Sequence, residues 1–180
     1  MKSEILKKLC DNRRYVAIER DNLDSGNIRG FILALSNNLV LLQNVVDFHL
    51  DGYSIIRRRD ITHVWHNEFE RYYKKILKKE GLLDKVGLQE TISLNNWPSV
   101  FHSLKRIGKN IIIEKEFPDV YKFLIGKIIR INKKHVNIRY FDANGKWERG
   151  FRYAPYEEIT RVQFENEYIK VFSKYLHPLK

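Results

Sequence analysis

The sequence predicts a mainly β protein with helices (α+β), built as two tandem five-stranded antiparallel barrels, each with an N-terminal and a C-terminal helix. Three observations carry this expectation. The chain repeats itself: Ile5, Leu9, Val16, Ile18 and Glu19 return as Val100, Leu104, Ile111, Ile113 and Glu114 at an offset of 95. Gly30-x-Ile32 answers Gly126-x-Ile128 at 96, Asp60-Ile61-Thr62-x-Val64 answers Glu158-Ile159-Thr160-x-Val162 at 98, and Asn67-Glu68-Phe69 answers Asn166-Glu167-Tyr168 at 99. A period of this size marks two copies of one unit, and the drift in offset falls where loops are expected. Short apolar runs bounded by turn residues fill the middle of each copy, while helical spacing is confined to its two ends. Finally, five short, strongly turned strands expose least edge when they bend into a small barrel. The units are expected at 1–80 and 96–180, with 81–95 between them.

Each element has a local reason. Ser3 is the expected N-cap of the first helix, with Glu4 in its first turn and Ile5, Leu6 and Leu9 on one face. In copy two Asn96 caps, Pro98 sits early, Val100, Phe101 and Leu104 form the apolar face, and Gly108 stops the helix. Strand one is expected at 15–19 and 110–114, followed by loops at 20–26 and 115–119. Strand two is expected at 28–35 and 124–131, where Gly30 and Gly126 permit sharp bending. Ser36-Asn37-Asn38 and Asn132-Lys133-Lys134 are tight turns, so strands two and three (39–45 and 135–141) form hairpins. Asn144-Gly145 is a second hairpin signal, answered in copy one by the looser 46–52. Strand four is expected at 53–58 and 147–153, and strand five at 61–65 and 159–164. Closing helices follow at about 67–79 and 166–176, with Phe69, Tyr72, Tyr73, Ile76 and Leu77 at helical spacing in the first. Leu82, Leu83, Val86, Leu88, Ile92 and Leu94 make the connection too apolar for a free linker, so it should pack on the units.

Composition narrows the function classes. The single cysteine, Cys10, permits no internal disulfide, and no apolar run approaches the length of a membrane span. Met1-Lys2-Ser3-Glu4-Ile5 lacks the apolar core of a signal peptide, so a cytoplasmic protein is expected. The net charge is +11 and is unevenly placed: residues 1–90 hold 16 Lys and Arg against 13 Asp and Glu, residues 91–180 hold 17 against 9. A basic field of this kind attracts polyanions: nucleic acid, anionic lipid or acidic proteins.

The order of a short helix and five bent strands resembles the Sm-like (LSm and Hfq) fold, a variant of the SH3-like barrel. The residues that carry the resemblance are Gly30-x-Ile32-x-x-Leu35 with Leu39-x-Leu41-Leu42, and Gly126-x-Ile128-x-x-Ile131 with Val136-x-Ile138. They fit the apolar skeleton of the first Sm motif, and the resemblance implies a barrel of a kind used for RNA binding. The family's uridine-site residues are not matched. Its Asp after strand two and Asn in strand three are replaced by Ser36 and Val40 in copy one, and by Asn132 and either Val136 or Asn137 in copy two. Its Arg-Gly pair is answered by Ile56-Arg57-Arg58 in copy one, and copy two has no Arg-Gly before Glu158. The closing helix is an addition, and a tandem pair does not obviously build the family's ring.

No catalytic, cofactor or metal site is expected. His63-x-x-His66 points to opposite faces of a strand, and Asp60 and Glu157-Glu158 stand where polar turn residues belong. No P-loop, GxSxG or GxGxxG motif occurs. The basic clusters are the candidates for nucleic-acid contact. Arg13 and Arg14 follow the first helix, and Lys105, Arg106 and Lys109 occupy nearly the same place in copy two. Arg57, Arg58 and Arg59 form the densest run, and Lys127, Arg130, Lys133, Lys134 and Arg139 load the strand two–three hairpin of copy two. Arginine beside exposed aromatics suits phosphate and base contacts, and Trp147 is the tryptophan placed to stack. The bland reading of each cluster is a solvated face. The expectation is a non-catalytic nucleic-acid-binding protein, for RNA or another polyanion. The alternative is a protein-interaction, adaptor or immunity-type module that binds an acidic protein.

Overall fold

Copy one folds as helix α1 (Lys2–Asp11), strands β1 (Tyr15–Glu19), β2 (Ile28–Leu35), β3 (Leu39–Val46), β4 (His49–Arg57) and β5 (His63–Trp65), then helix α2 (Glu68–Lys79). Copy two gives helix α3 (Trp97–Ile107), strands β6 (Ile111–Phe117), β7 (Val120–Ile131), β8 (His135–Tyr140), β9 (Arg152–Pro155) and β10 (Arg161–Phe164), then helix α4 (Glu167–Lys174). The structure, a computed structural model, describes residues 2–23 and 26–178. The mainly β, α+β class is as expected, but the strands do not form two separate closed barrels. They form one open antiparallel sheet of ten, in the order β5-β1-β2-β3-β4-β10-β6-β7-β8-β9.

The reason lies at the middle of that order. Closing copy one on itself would require β4, already paired with β3, to find a second partner among its own strands. Instead β10 of copy two takes the outer edge of β4, pairing Tyr53 with Phe164, Ser54 with Gln163, Ile55 with Val162 and Ile56 with Arg161. β10 bonds β6 on its other side. An edge satisfied by the neighbouring copy has no need of closure.

Several boundaries differ from expectation for local reasons. α1 begins at Lys2, so Ser3 stands in its first turn and not ahead of it. The expected loop at 115–119 shrinks to Pro118-Asp119, because β6 and β7 stay paired out to Phe117 opposite Val120. Asp142-Ala143-Asn144-Gly145 does turn: the Asp142 carboxylate accepts from the N–H groups of Asn144 and Lys146, both at 2.9 Å. Only an isolated bridge, Phe141 with Trp147, follows it, and β9 starts five residues later. β4 instead reaches back to His49, which makes the looser copy-one turn the better hairpin. Both glycines expected to bend strand two have a stricter role: a Cβ on Gly30 would lie 2.0 Å from the Gln43 carbonyl oxygen, and one on Gly126 1.9 Å from that of Arg139.

Among the described residues the side chains form four apolar clusters. α1 covers Val16, Ile18, Ile32, Val40, Leu42 and Ile56 in copy one. Tyr73 and Leu77 of α2 pack against Tyr15, Phe31 and Val45 on the other sheet face. The corresponding clusters of copy two lie under α3 and α4. The α3 cluster crosses the copy boundary, since Leu39, Leu41 and Ile55 of copy one belong to it beside Val100, Phe101, Ile159 and Val162. The connection between copies is packed: Leu82, Leu83 and Val86 join the α2 cluster, and Leu88, Ile92 and Leu94 the α3 cluster. The Gly87 peptide is held at both ends, by the Gln43 side chain at 2.9 Å and the Tyr53 hydroxyl at 2.8 Å.

α2 starts with a reciprocal cap. The Asn67 side chain accepts from Phe69 N–H, and the Glu70 carboxylate accepts from Asn67 N–H, both at 2.9 Å. Asn67→Ala is expected to cost about 1 kcal/mol of unfolding free energy, read from urea denaturation, because it exposes orphan donors of the first turn. A loss under a few tenths would show that packing alone holds this helix.

Candidate nucleic-acid interface

Both copies place a strand two–three turn against the segment that follows strand four. In copy one the Ser36 hydroxyl accepts from the N–H groups of Asn38 and Leu39, at 3.2 and 2.9 Å, which locks the turn. Arg58 binds that turn twice: its N–H donates to the Asn38 carbonyl at 2.8 Å, and its guanidinium to the Ser36 carbonyl at 3.1 Å. In copy two Tyr156 stands in the place of Arg58. Its N–H donates to Lys134 O at 3.0 Å and its hydroxyl to Asn132 O at 2.9 Å. The two ends meet across a concavity of about 350 Å³, lined by Asn37, Asn38, Arg57 and Arg59 from copy one and by Asn96, Trp97, Tyr156 and Glu157 from copy two.

The expected basic residues do not all come together there. Arg59 does, with its side chain 71% exposed, and Arg58 lies half-buried beside it. Lys133 and Lys134 are exposed on the turn that Tyr156 holds. Arg57 does not offer itself to a ligand. It is buried, its Nε donates to Asp60 at 2.5 Å, its Nη1 donates to the Glu157 carbonyl at 3.0 Å, and its guanidinium lies over the Phe117 ring. It joins the copies.

A second group gathers beside β8 and β9. Arg139 and Trp147 line a concavity of about 570 Å³ with Lys146, Glu148, Arg149 and His177. Trp147 is only half available there, because its ring meets Phe141 edge-on and its N–H donates to His177 O at 3.1 Å. Arg139 leans over Phe151, 5.8 Å from the ring centre. Lys127 is exposed directly across the ladder from Arg139, and Arg130 is exposed opposite Asn137.

The remaining candidates are scattered. Lys74 of α2 donates to Arg13 O at 2.6 Å; burial, and then the charge of Arg14, holds the Lys74 amine below its ordinary value. That corner therefore belongs with α2. Lys105 donates to Ile129 O at 2.6 Å, Arg106 to Thr91 O at 3.3 Å, and Lys109 pairs with Glu165.

Sequence reading missed Asn37, Asn38, Trp97, Tyr156 and Lys146 as members of these concavities. The repeat held a usable signal for Tyr156: it occupies the Arg58 position of a turn that both copies share. Among the described residues, no group of three or more His, Cys, Asp or Glu is arranged to hold a metal ion, and no helix is long and apolar enough to cross a membrane. What fold and site define together is a two-copy α+β protein with a basic, amide- and aromatic-lined end to a continuous sheet. No protein-family model matches the chain, and neither does any curated protein or solved structure.

Proposed function

We propose that the protein is a non-catalytic RNA-binding protein whose binding face is the turn end shared by the two copies. The observation that carries this reading is the convergence of Arg59, Asn37 and Asn38 with Trp97 and Tyr156 around one concavity at the copy boundary, with Arg58 bonded to one of the two flanking turns and Lys133 and Lys134 exposed on the other. Lysine and arginine supply phosphate contacts, amides can meet base edges, and aromatic rings give bases a stacking surface. We read each set of five strands with its first helix as an Sm-like unit. Support for that comes from the element order and from the bulge that interrupts strand two at the same place in each copy, between Ile32 and Ala34 and between Ile128 and Arg130. The lone Cys10 suits a reducing, cytoplasmic setting.

The test is fluorescence anisotropy with mixed-sequence single-stranded RNA and DNA over a salt series. Binding to RNA should weaken steadily as salt rises. Replacing Lys133 and Lys134 together by glutamine should lower the slope of log affinity against log salt by about 1.4 units on single strands if each neutralises one phosphate. Absence of salt-sensitive binding near physiological ionic strength rejects the reading.

A further inference from the structure

The two free edges of the sheet are not equivalent to one another, but each has a filled counterpart inside the molecule. At the copy boundary, α3 and β10 form a groove that receives β3 and β4: Val100, Phe101, Ile159 and Val162 are all buried against Leu39, Leu41 and Ile55. The repeat places Ile5, Leu6, Ile61 and Val64 at the corresponding positions of copy one. There they line an open groove of about 490 Å³ together with Arg58, Arg59 and His63. Val100 is 0% exposed, whereas Ile5 is 48% exposed. β5 pairs only with β1, so its outer edge has no strand, whereas β10 pairs on both sides. The molecule therefore carries one groove filled by an antiparallel edge strand and a second of the same construction that is open.

Charge says what the second groove would take. In the filled groove, Arg57 of the incoming strand donates to the carbonyl of Glu157 at 3.0 Å, with Tyr156 beside it. The positions that correspond to Tyr156 and Glu157 in the open groove are Arg58 and Arg59. The match is structural as well as sequential, since Arg58 N–H bonds Asn38 O as Tyr156 N–H bonds Lys134 O. A strand entering here meets two arginines where β4 meets a tyrosine and a glutamate, so its residue at the Arg57 position should be acidic.

A second copy of this chain is a poor occupant. Of its two free edges, β5 is a strand of three residues, His63–Trp65, where β4 offers four to β10, and β9 presents Pro155 where β4 has Arg57. The neighbouring face offers His135 and Asn137 at the places of Leu39 and Leu41, and so lacks the apolar pair that fills the internal groove.

We propose that the β5 edge is a docking site for an acidic partner protein, which adds an edge strand antiparallel to β5. Alternate apolar side chains enter the Ile5–Val64 groove, and a carboxylate meets Arg58 and Arg59. This does not depend on RNA binding at the turn end.

The filled groove supplies the probe. A cyclised hairpin of residues 38–57 copies the segment that already occupies the internal groove, and the open groove of the same construction lies at the β5 edge. It would be titrated into the full chain in its native form and as Arg57→Glu, followed by amide shifts of Thr62 to Trp65. The acidic form is expected to bind roughly tenfold tighter than the native form, with the gain lost at high salt. Ile5→Asp in the full chain should abolish binding of both; because Ile5 is half exposed, the thermal unfolding of this variant should match wild type. No binding, equal binding of both hairpins, or binding unaffected by Ile5→Asp overturns the proposal. So does concentration-dependent oligomerisation that Ile5→Asp removes, since that assigns the edge to a second copy.

Discussion

Arg20→Ala is expected to lower the unfolding free energy by about 3–5 kcal/mol, because it strips the partner from a buried charge. Arg20 directly follows β1 in copy one, and Glu116 lies in β6 of copy two. Their side chains are 0% and 2% exposed and meet through two bonds, Nη1 to Oε2 at 2.7 Å and Nη2 to Oε1 at 2.8 Å. Thr160 donates to the same carboxylate at 2.7 Å. Two parallel charge-assisted bonds in a dry setting fix the relative position of the copies as well as their charge balance. The informative comparison is the double replacement, Arg20→Met with Glu116→Leu. It removes both charges of this pair together and should recover most of the loss, since a buried pair is often no better than apolar side chains of similar size. Urea denaturation of the two variants decides this. If the double variant is as unstable as Arg20→Ala, the pair contributes directly and does more than avoid a penalty.

The same pair predicts an acid limb. Burial by itself would raise the Glu116 carboxyl, but hydrogen bonds and charge from Arg20, the Thr160 bond and the charge of Arg161 outweigh it and hold the group below its ordinary 4.5. A carboxylate lowered on folding stabilises the protein fully above its unfolded-state value, and that stabilisation is lost as pH falls through the lower folded-state value. Wild type should therefore lose stability below about pH 4.5 more steeply than the double variant.

Gly126→Ala is expected to cost more than about 3 kcal/mol, or to prevent folding, through steric conflict between paired strands. The new Cβ would lie 1.9 Å from the Arg139 carbonyl oxygen and 2.8 Å from its carbon, both backbone atoms of β8 that cannot rotate away. Gly81→Ala is the control. Gly81 also has a positive φ, +67°, but nothing lies within 4 Å of its added Cβ. That variant should lose only about 1 kcal/mol, the cost of a left-handed conformation in a residue with a side chain. Equal losses at the two sites would mean that β7 and β8 can separate at little cost.

These two sites show what could be read from the chain. Gly126 was visible as half of a repeated Gly-x-Ile pattern, because a backbone requirement admits one residue type and so leaves a mark. Its physical role, the close approach of a neighbouring strand, was not visible, since that strand's distance is set by the sheet. Arg20 left no mark at all. Its sequence neighbours suggest a loop, and its partner lies in the other copy, so neither the period nor the local composition points to burial. Arg57 was misplaced for a related reason: in a run of three arginines nothing local distinguishes the one that turns inward to Asp60 and Glu157.

The copy boundary itself had a signal. Leu39, Leu41 and Ile55 are apolar where copy two has His135, Asn137 and Tyr153, at positions that alternate with the interior-facing residues of their strands. Apolar residues on the outer face of one copy only mean that this face alone is covered. Of the basic residues, the sequence could group Lys133 and Lys134 by adjacency. It could not bring them to the same end of the molecule as Arg59, because that follows from β4 lying beside β10.

The amino-acid sequence by itself determined the unit: a helix, five strands and a closing helix, written twice, with glycines, caps and alternating apolar residues where backbone geometry and burial demand them. Those demands act between residues near in the chain or in the same sheet, so they repeat with the period. Only the tertiary structure decided how the units join, which edge is filled and which is open, and which charges are buried. Strand pairing across the boundary uses backbone groups that every residue carries, and the side chains that respond to it are drawn from opposite ends of the chain. The repeat therefore specified two alike halves, and their edge-to-edge union made them unlike.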